Sequence, residues 1–170
     1  MERRSLAALA RALESAHVRY LIVGGMAVVA HGYLRLTVDV DLVLDPEPTA
    51  LLRAMEALGG LGYRPRAPVA LEDFADAEKR RVWSSEKGLT VFSLFSAEHK
   101  ATELDLFLEC PFDFETEYRA ALRQELDTGE SLWFVSRAEL IRMKRAAGRP
   151  RDLQDIERLE TLAQEEKRHP

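Results

Sequence analysis

Residues 20–45, YLIVGGMAVVAHGYLRLTVDVDLVLD, constrain this chain more than any other stretch. An apolar run ends in Gly24-Gly25, and a second apolar run carries Asp39 and Asp41 two residues apart. Successive side chains of a strand point to opposite faces, so an i, i+2 pair sets both carboxylates side by side. The alternation assigns Val38, Val40, Leu42 and Leu44 to the other face. Adjacent carboxylates repel unless positive charge lies between them, and a hard divalent cation with oxygen ligands is the natural counter-charge. Glycines where a strand gives way to a helix let a phosphate approach the backbone amides. A cation site and a phosphate site within one supersecondary unit point to nucleotide chemistry.

Elsewhere the patterning predicts an N-terminal helix over residues 3–16, with Leu6, Leu9, Ala10 and Leu13 at helical spacing. A strand over 18–23, a short helix over 25–32 and a strand over 35–44 follow. Residues 48–58 read as a helix closed by glycines, 63–70 as a proline-rich loop and 71–81 as a further helix. Leu89–Phe95 and Thr102–Glu109 read as a hairpin, 111–124 as helical or irregular, and 131–135 as a short strand. Ser136-Arg-Ala-Glu139 has the form of a capping box opening a helix to Ala147. Gly148 ends that helix, and Pro150 suits the first turn of a last one, with a frayed tail from Lys167. The expected architecture is α+β: a mixed sheet flanked by helices, with residues 1–135 as core and 136–170 as a C-terminal helical pair packed on it.

The strand around residues 102–109, TELDLFLE, offers a third acid. Leu104, Leu106 and Leu108 share one face and leave Asp105 on the other with Glu103. A carboxylate set in an apolar strand costs several kcal/mol if buried without a partner. Solvated carboxylates on an open sheet face are the alternative for all three acids.

A strand ending in Gly-Gly, a short helix, Arg35 and Thr37, then Asp-x-Asp on the next strand resembles the nucleotidyltransferase superfamily related to DNA polymerase β. GGMAVVAHGYLRLTVDVDL is similar to the small bacterial branch that includes abortive-infection-type toxins. The segment LIRMKRAAGRPRDLQDIERL extends the resemblance, its Lys144, Arg149 and Asp152 matching a C-terminal Lys…Arg-Pro-Lys/Arg-Asp pattern.

The resemblance implies that Asp39, Asp41 and Asp105 bind Mg²⁺ or Mn²⁺ and carry the chemistry. Asp105 would also position the acceptor hydroxyl. Gly24, Gly25, Arg35, Thr37, Lys144 and Arg149 would contact the NTP, with Asp152 orienting Lys144 or Arg149. The acceptor implied first is RNA, in particular a tRNA end, with a cognate antitoxin as partner. A small-molecule (antibiotic) adenylyltransferase, a non-catalytic nucleotide-binding or toxin–antitoxin partner protein, and a purely structural module are the other readings.

Composition narrows these classes. A length of 170 residues with 46% hydrophobic and 31% charged content suits one globular domain. The net charge of −5 argues against a protein that coats nucleic acid non-specifically. One cysteine, Cys110, excludes an intramolecular disulfide and suits a reducing cytoplasm, where it reads as a packed thiol. The N-terminus carries charges throughout, unlike a secretory signal, and the apolar runs are too short for a membrane span. Arg80, Arg81, Trp83 and Lys87 form a basic aromatic segment suited either to a single strand of RNA or to a packed helix end. His31, in the short helix after the glycines, reads as packed or capping.

Overall fold

The computed structural model describes residues 3–168. Seven strands form one mixed sheet: β1 (Tyr20–Ile22), β2 (Asp39–Leu44), β3 (Tyr63–Pro65), β4 (Val91–Ser96), β5 (Glu103–Phe107), β6 (Leu122–Glu125) and β7 (Ser131–Phe134). Their spatial order is β3-β4-β5-β2-β1-β7-β6. The β1–β2, β3–β4, β4–β5 and β6–β7 pairs are antiparallel, whereas β2–β5 and β1–β7 are parallel. The helices are α1 (Arg3–Ser15), α2 (Gly24–Ala30), α3 (Pro48–Gly60), α4 (Ala77–Ser85), α5 (Phe114–Arg119), α6 (Arg137–Ala147) and α7 (Pro150–Arg168). A 3-10 turn over Leu71–Ala75 precedes α4. This is the expected mixed sheet flanked by helices. No helix among the described residues is long and apolar enough to cross a membrane.

Burial of one sheet face holds the strands in register. Val40, Leu42 and Leu44 of β2, Leu104 and Leu106 of β5, and Leu94 of β4 are all buried. Leu6, Leu9, Ala10 and Leu13 bury the apolar stripe of α1, which packs on α3. A strand slipped by one residue would turn every one of these side chains outward, so the core fixes which residues meet across the sheet. That constraint places the acids on the opposite face.

Several expectations need correction. The strand expected from Arg35 begins only at Asp39, because β1 ends at Ile22 and leaves the preceding segment without a strand beside it. Residues 33–38 have no regular secondary structure, and Val38, assigned to the core face, is exposed with Leu34 and Leu36. The proline-rich loop contains β3, the helix at 71–81 divides into a 3-10 turn and α4, and residues 111–124 contain α5 and β6. Ser136 caps α6 by accepting from the Glu139 amide, but the Glu139 carboxylate turns to Arg142, so the box is half formed. The last helix continues through Arg168, and the tail expected to fray beyond it lies outside the described residues.

The basic aromatic segment is largely absorbed into packing. Trp83 is buried and stacks on Phe92 at 5.1 Å, Arg80 lies over Phe74, and Arg81 pairs with Glu78. His31 is buried with Nε2 2.8 Å from the Val135 carbonyl, and the half-buried Cys110 thiol donates to the Phe112 carbonyl. Both residues therefore take their packed roles.

The β6–β7 hairpin is tied to α1 by charge. Glu130 accepts from Arg11 and from the Thr128 hydroxyl. The Thr128 hydroxyl and the Arg11 guanidinium hold its carboxyl down to about 2, against an ordinary value of 4.5. A depressed carboxyl stabilises the fold above its unfolded pKa, and that stabilisation fades as pH falls through the folded value. Glu130→Gln should therefore lower Tm at neutral pH. Thermal melts should show the gap from the unsubstituted chain closing between pH 4.5 and about 2.

Candidate functional site

The site is built at the crossing of β1, β2 and β5. Parallel pairing sets Asp41 opposite Asp105 and Asp39 opposite Glu103, all on the face away from the leucines. Neighbouring strands lie about 4.8 Å apart, so the carboxylates of Asp41 and Asp105 are close neighbours. The register brings together the three acids that the sequence singled out.

Gly24 closes this site from above. Its φ of +61° lies in the left-handed region, and a Cβ there would overlap Asp41 Oδ2. Only a residue without a side chain lets the start of α2 sit this close to the acid. Gly25 is equally confined, since a Cβ would crowd Thr37 Oγ1 and come within 2.8 Å of Arg35 Nη2. Thr37 and Arg35 thus line the glycine turn, as their positions before the acids suggest.

None of Asp39, Asp41 and Asp105 forms an ion pair among the described residues. Burial, then the Asp105 and Asp39 charges, push the Asp41 carboxyl up, while the Gly25 amide and Lys144 act the other way. Burial, then Asp105 and Glu103, push Asp39 up as well, against a smaller opposing pull from Arg66. Three hard oxygen donors with unbalanced negative charge are a donor set suited to Mg²⁺ or Mn²⁺. Among the described residues no group of three or more His, Cys, Asp or Glu side chains is arranged to hold a metal ion. The carboxylates share a face and a register, and the Ser93 hydroxyl draws Oδ1 of Asp105 toward itself at 2.5 Å.

Of the C-terminal residues, Lys144 lies near enough to Asp41 for its charge to act on that carboxyl, and it is held there by α7. Lys144 Nζ lies 3.0 Å from Asp152 Oδ1 and 2.7 Å from Asp155 Oδ2, and its side chain is only 6% exposed. Arg35 Nε lies 3.1 Å from Asp155 Oδ1. Two cations and two carboxylates therefore form a balanced buried cluster joining α6, α7 and the segment before β2. The orienting role expected of Asp152 toward Lys144 is visible in this contact. Arg149 is exposed at the α6–α7 corner. Arg151 also reaches the same segment, donating to the Leu36 carbonyl.

Two residues of this arrangement, Ser93 and Arg66, carry no signal in the sequence, and a third, Asp155, carries only its spacing from Asp152. Ser93 faces Asp105 because β4 pairs antiparallel with β5 in that register. Arg66 grips Glu103 in a two-pronged pair that stays open to solvent. Asp155 pairs with both Arg35 and Lys144. Its only sequence signal was its spacing from Asp152, which sets both on one side of α7.

Removing one partner of a buried ion cluster leaves an uncompensated charge, at a cost of about 3–5 kcal/mol. Asp155→Ala should accordingly lower Tm by ~10 °C in a domain of this size. It should also free the segment before β2, which limited trypsin digestion would report as faster cleavage after Arg35. An unchanged digestion pattern would show that α7 does not brace the segment.

No protein-family model matches this chain, and no curated protein matches its sequence. Among solved structures, lincosamide antibiotic adenylyltransferase LnuA, bound to lincomycin, matches with a TM-score of 0.62 at 16% sequence identity. The match covers 95% of this chain and 98% of that one. A likeness spanning both chains end to end at this identity establishes a shared architecture. The chain has a nucleotidyltransferase-like fold.

Proposed function

We propose that this chain is a divalent-cation-dependent nucleotidyltransferase that moves NMP from an NTP to a hydroxyl acceptor. One observation carries the reading: Asp39, Asp41 and Asp105 share one sheet face, beneath a glycine turn, with no ion-pair partner among the described residues. A fold spends stability on unbalanced carboxylates when a ligand supplies the missing charge.

Asp39 and Asp41 would hold the divalent ion, with Asp105 as a third ligand. A bound cation supplies neutralisation of triphosphate and pyrophosphate oxygens. The amides at the start of α2 face the phosphates across Gly24 and Gly25, where nothing but hydrogen projects from Cα. With Oδ1 held by Ser93, Oδ2 of Asp105 takes the proton of the attacking hydroxyl. The hydroxyl oxygen forms a bond to the α-phosphorus, the bond from that phosphorus to the bridging oxygen breaks, and pyrophosphate leaves with the electron pair. Lys144 and Arg35 act from the cluster behind the turn, positioning the segment that carries Thr37 rather than gripping phosphate directly.

A small-molecule acceptor suits the chain better than the tRNA end that the resemblance put first. The packing of Trp83 removes the aromatic platform that a single strand would stack on. The structure matched above is that of an enzyme named for adenylylating a small antibiotic. A cytoplasmic setting belongs to the same reading, and nothing in the fold calls for an antitoxin partner.

Incubation with each α-labelled NTP, Mg²⁺ and cell extract should transfer label to an acceptor and release pyrophosphate. Outer-shell residues of metal sites account for about 10- to 100-fold in activity, so Asp41→Asn should cost more than ~100-fold. The same substitution should raise Tm at neutral pH. Burial and its acidic neighbours raise the Asp41 carboxyl, so its ionised form strains the fold and the neutral amide relieves that strain. A variant that keeps transferring label would remove Asp41 from the chemistry.

A further inference from the structure

A cleft of about 910 Å³ lies beside the glycine turn, between α1, α2, the β6–β7 hairpin and residues 35–37. It shares Arg35 and Thr37 with the site described above, so its inner wall is the outer wall of the phosphate turn. Its volume falls within the range of sites that bury a drug-sized molecule.

The lining is chemically divided. Leu6, Met26, Val29, Leu132 and Phe134 give an apolar floor, and Leu36 stands at its edge with 88% of its surface exposed. A leucine left this open beside an apolar floor is surface that a ligand would cover. Around the rim stand Arg3, Arg4, Arg11 and Arg35, against the carboxylates of Glu125 and Asp127. Arg3 pairs with Asp127, Arg11 with Glu130 and Arg35 with Asp155, which leaves Arg4 as the rim guanidinium without an ion pair among the described residues, placed to meet an oxygen acceptor or negative charge on an occupant.

Two other occupants fit less well. A nucleobase would find no exposed aromatic face, because Phe134, the one aromatic residue of the lining, is 2% exposed. An RNA strand would need a continuous basic track with stacking platforms, and the cleft offers a closed floor instead.

We infer that this cleft seats the body of the acceptor: a small hydroxylated molecule with an apolar core and an oxygen-rich or anionic edge. The inference rests on the nucleotidyl-transfer reading and specifies its substrate class. The apolar body covers Leu36 and the floor, Arg4 reads the edge, and the hydroxyl is presented at the Thr37 wall, which the cleft shares with the glycine turn. Arg35 then serves both sites, which makes the segment before β2 the partition between acceptor and triphosphate.

The test uses two substitutions outside the acid site. Ala8→Trp fills the cleft from α1, where residue 8 is only half-buried, and Arg4→Glu reverses charge on the rim. The first probe is 8-anilinonaphthalene-1-sulfonate, an apolar anion whose fluorescence rises on burial. Both variants should weaken its binding about tenfold, the scale on which pockets discriminate small changes of shape. The thermal shift given by ATP with Mn²⁺ should stay that of the unsubstituted chain. Unchanged probe binding in both variants overturns the cleft assignment and leaves nucleotidyl transfer standing.

The second arm supplies α-labelled NTP with the small-molecule filtrate of a cell extract, and separately with total RNA. Label on a small molecule, reduced about tenfold by Ala8→Trp at limiting filtrate, supports the inference. Label on RNA, or small-molecule labelling indifferent to Ala8→Trp, overturns it. No labelling with either supply, together with no ATP shift, overturns the nucleotidyl-transfer reading and this inference with it.

Discussion

The parallel pairing of β2 with β5 is the contact on which the rest of the molecule turns. It brings Asp41 level with Asp105 and Asp39 level with Glu103, so like charges sit at the distance of neighbouring strands. Directly opposed like charges destabilise a sheet. The pairing persists because the reverse face of the same strands buries Val40, Leu42, Leu104 and Leu106 completely. At roughly 1.5–3 kcal/mol for each buried aliphatic side chain, that face outweighs the repulsion. The core thus dictates the register, and the register creates the electrostatic demand.

The surroundings of the acids divide into charges that are satisfied and charges that are not. Glu103 is gripped by Arg66, and Asp152 and Asp155 are balanced by Lys144 and Arg35. Asp39 and Asp41 are left with raised carboxyls among acidic neighbours. A fold able to neutralise three nearby carboxylates could have neutralised these as well. Left open beneath a turn of two glycines, they are the groups that the proposed divalent ion and triphosphate would engage.

How much of this was legible in the sequence follows the range of each interaction. The Asp-x-Asp pair, the glycine corner and the alternation of Leu104, Asp105 and Leu106 are local patterns, and each marked its element before any tertiary contact was known. The segment before β2 misled for the same reason. Leu34, Leu36 and Val38 alternate like a strand, yet strand formation needs a neighbour, and β1 ends too early to provide one. Lys144 is a residue type suited to phosphate, but its partner Asp155 lies one helix away, and only the crossing of α6 and α7 reveals that pair. Ser93 could not be read at all, because a serine in a strand gains meaning only from the residue opposite it.

The account depends on those three carboxylates sharing one divalent ion. Crystals grown with Mn²⁺ and a non-hydrolysable NTP analogue, measured for anomalous scattering, test this directly. The account predicts a strong peak within ligand distance of Asp39, Asp41 and Asp105, with triphosphate density against Gly24 and Gly25. A nucleotide bound elsewhere, or a manganese peak that leaves all three acids unengaged, would contradict it.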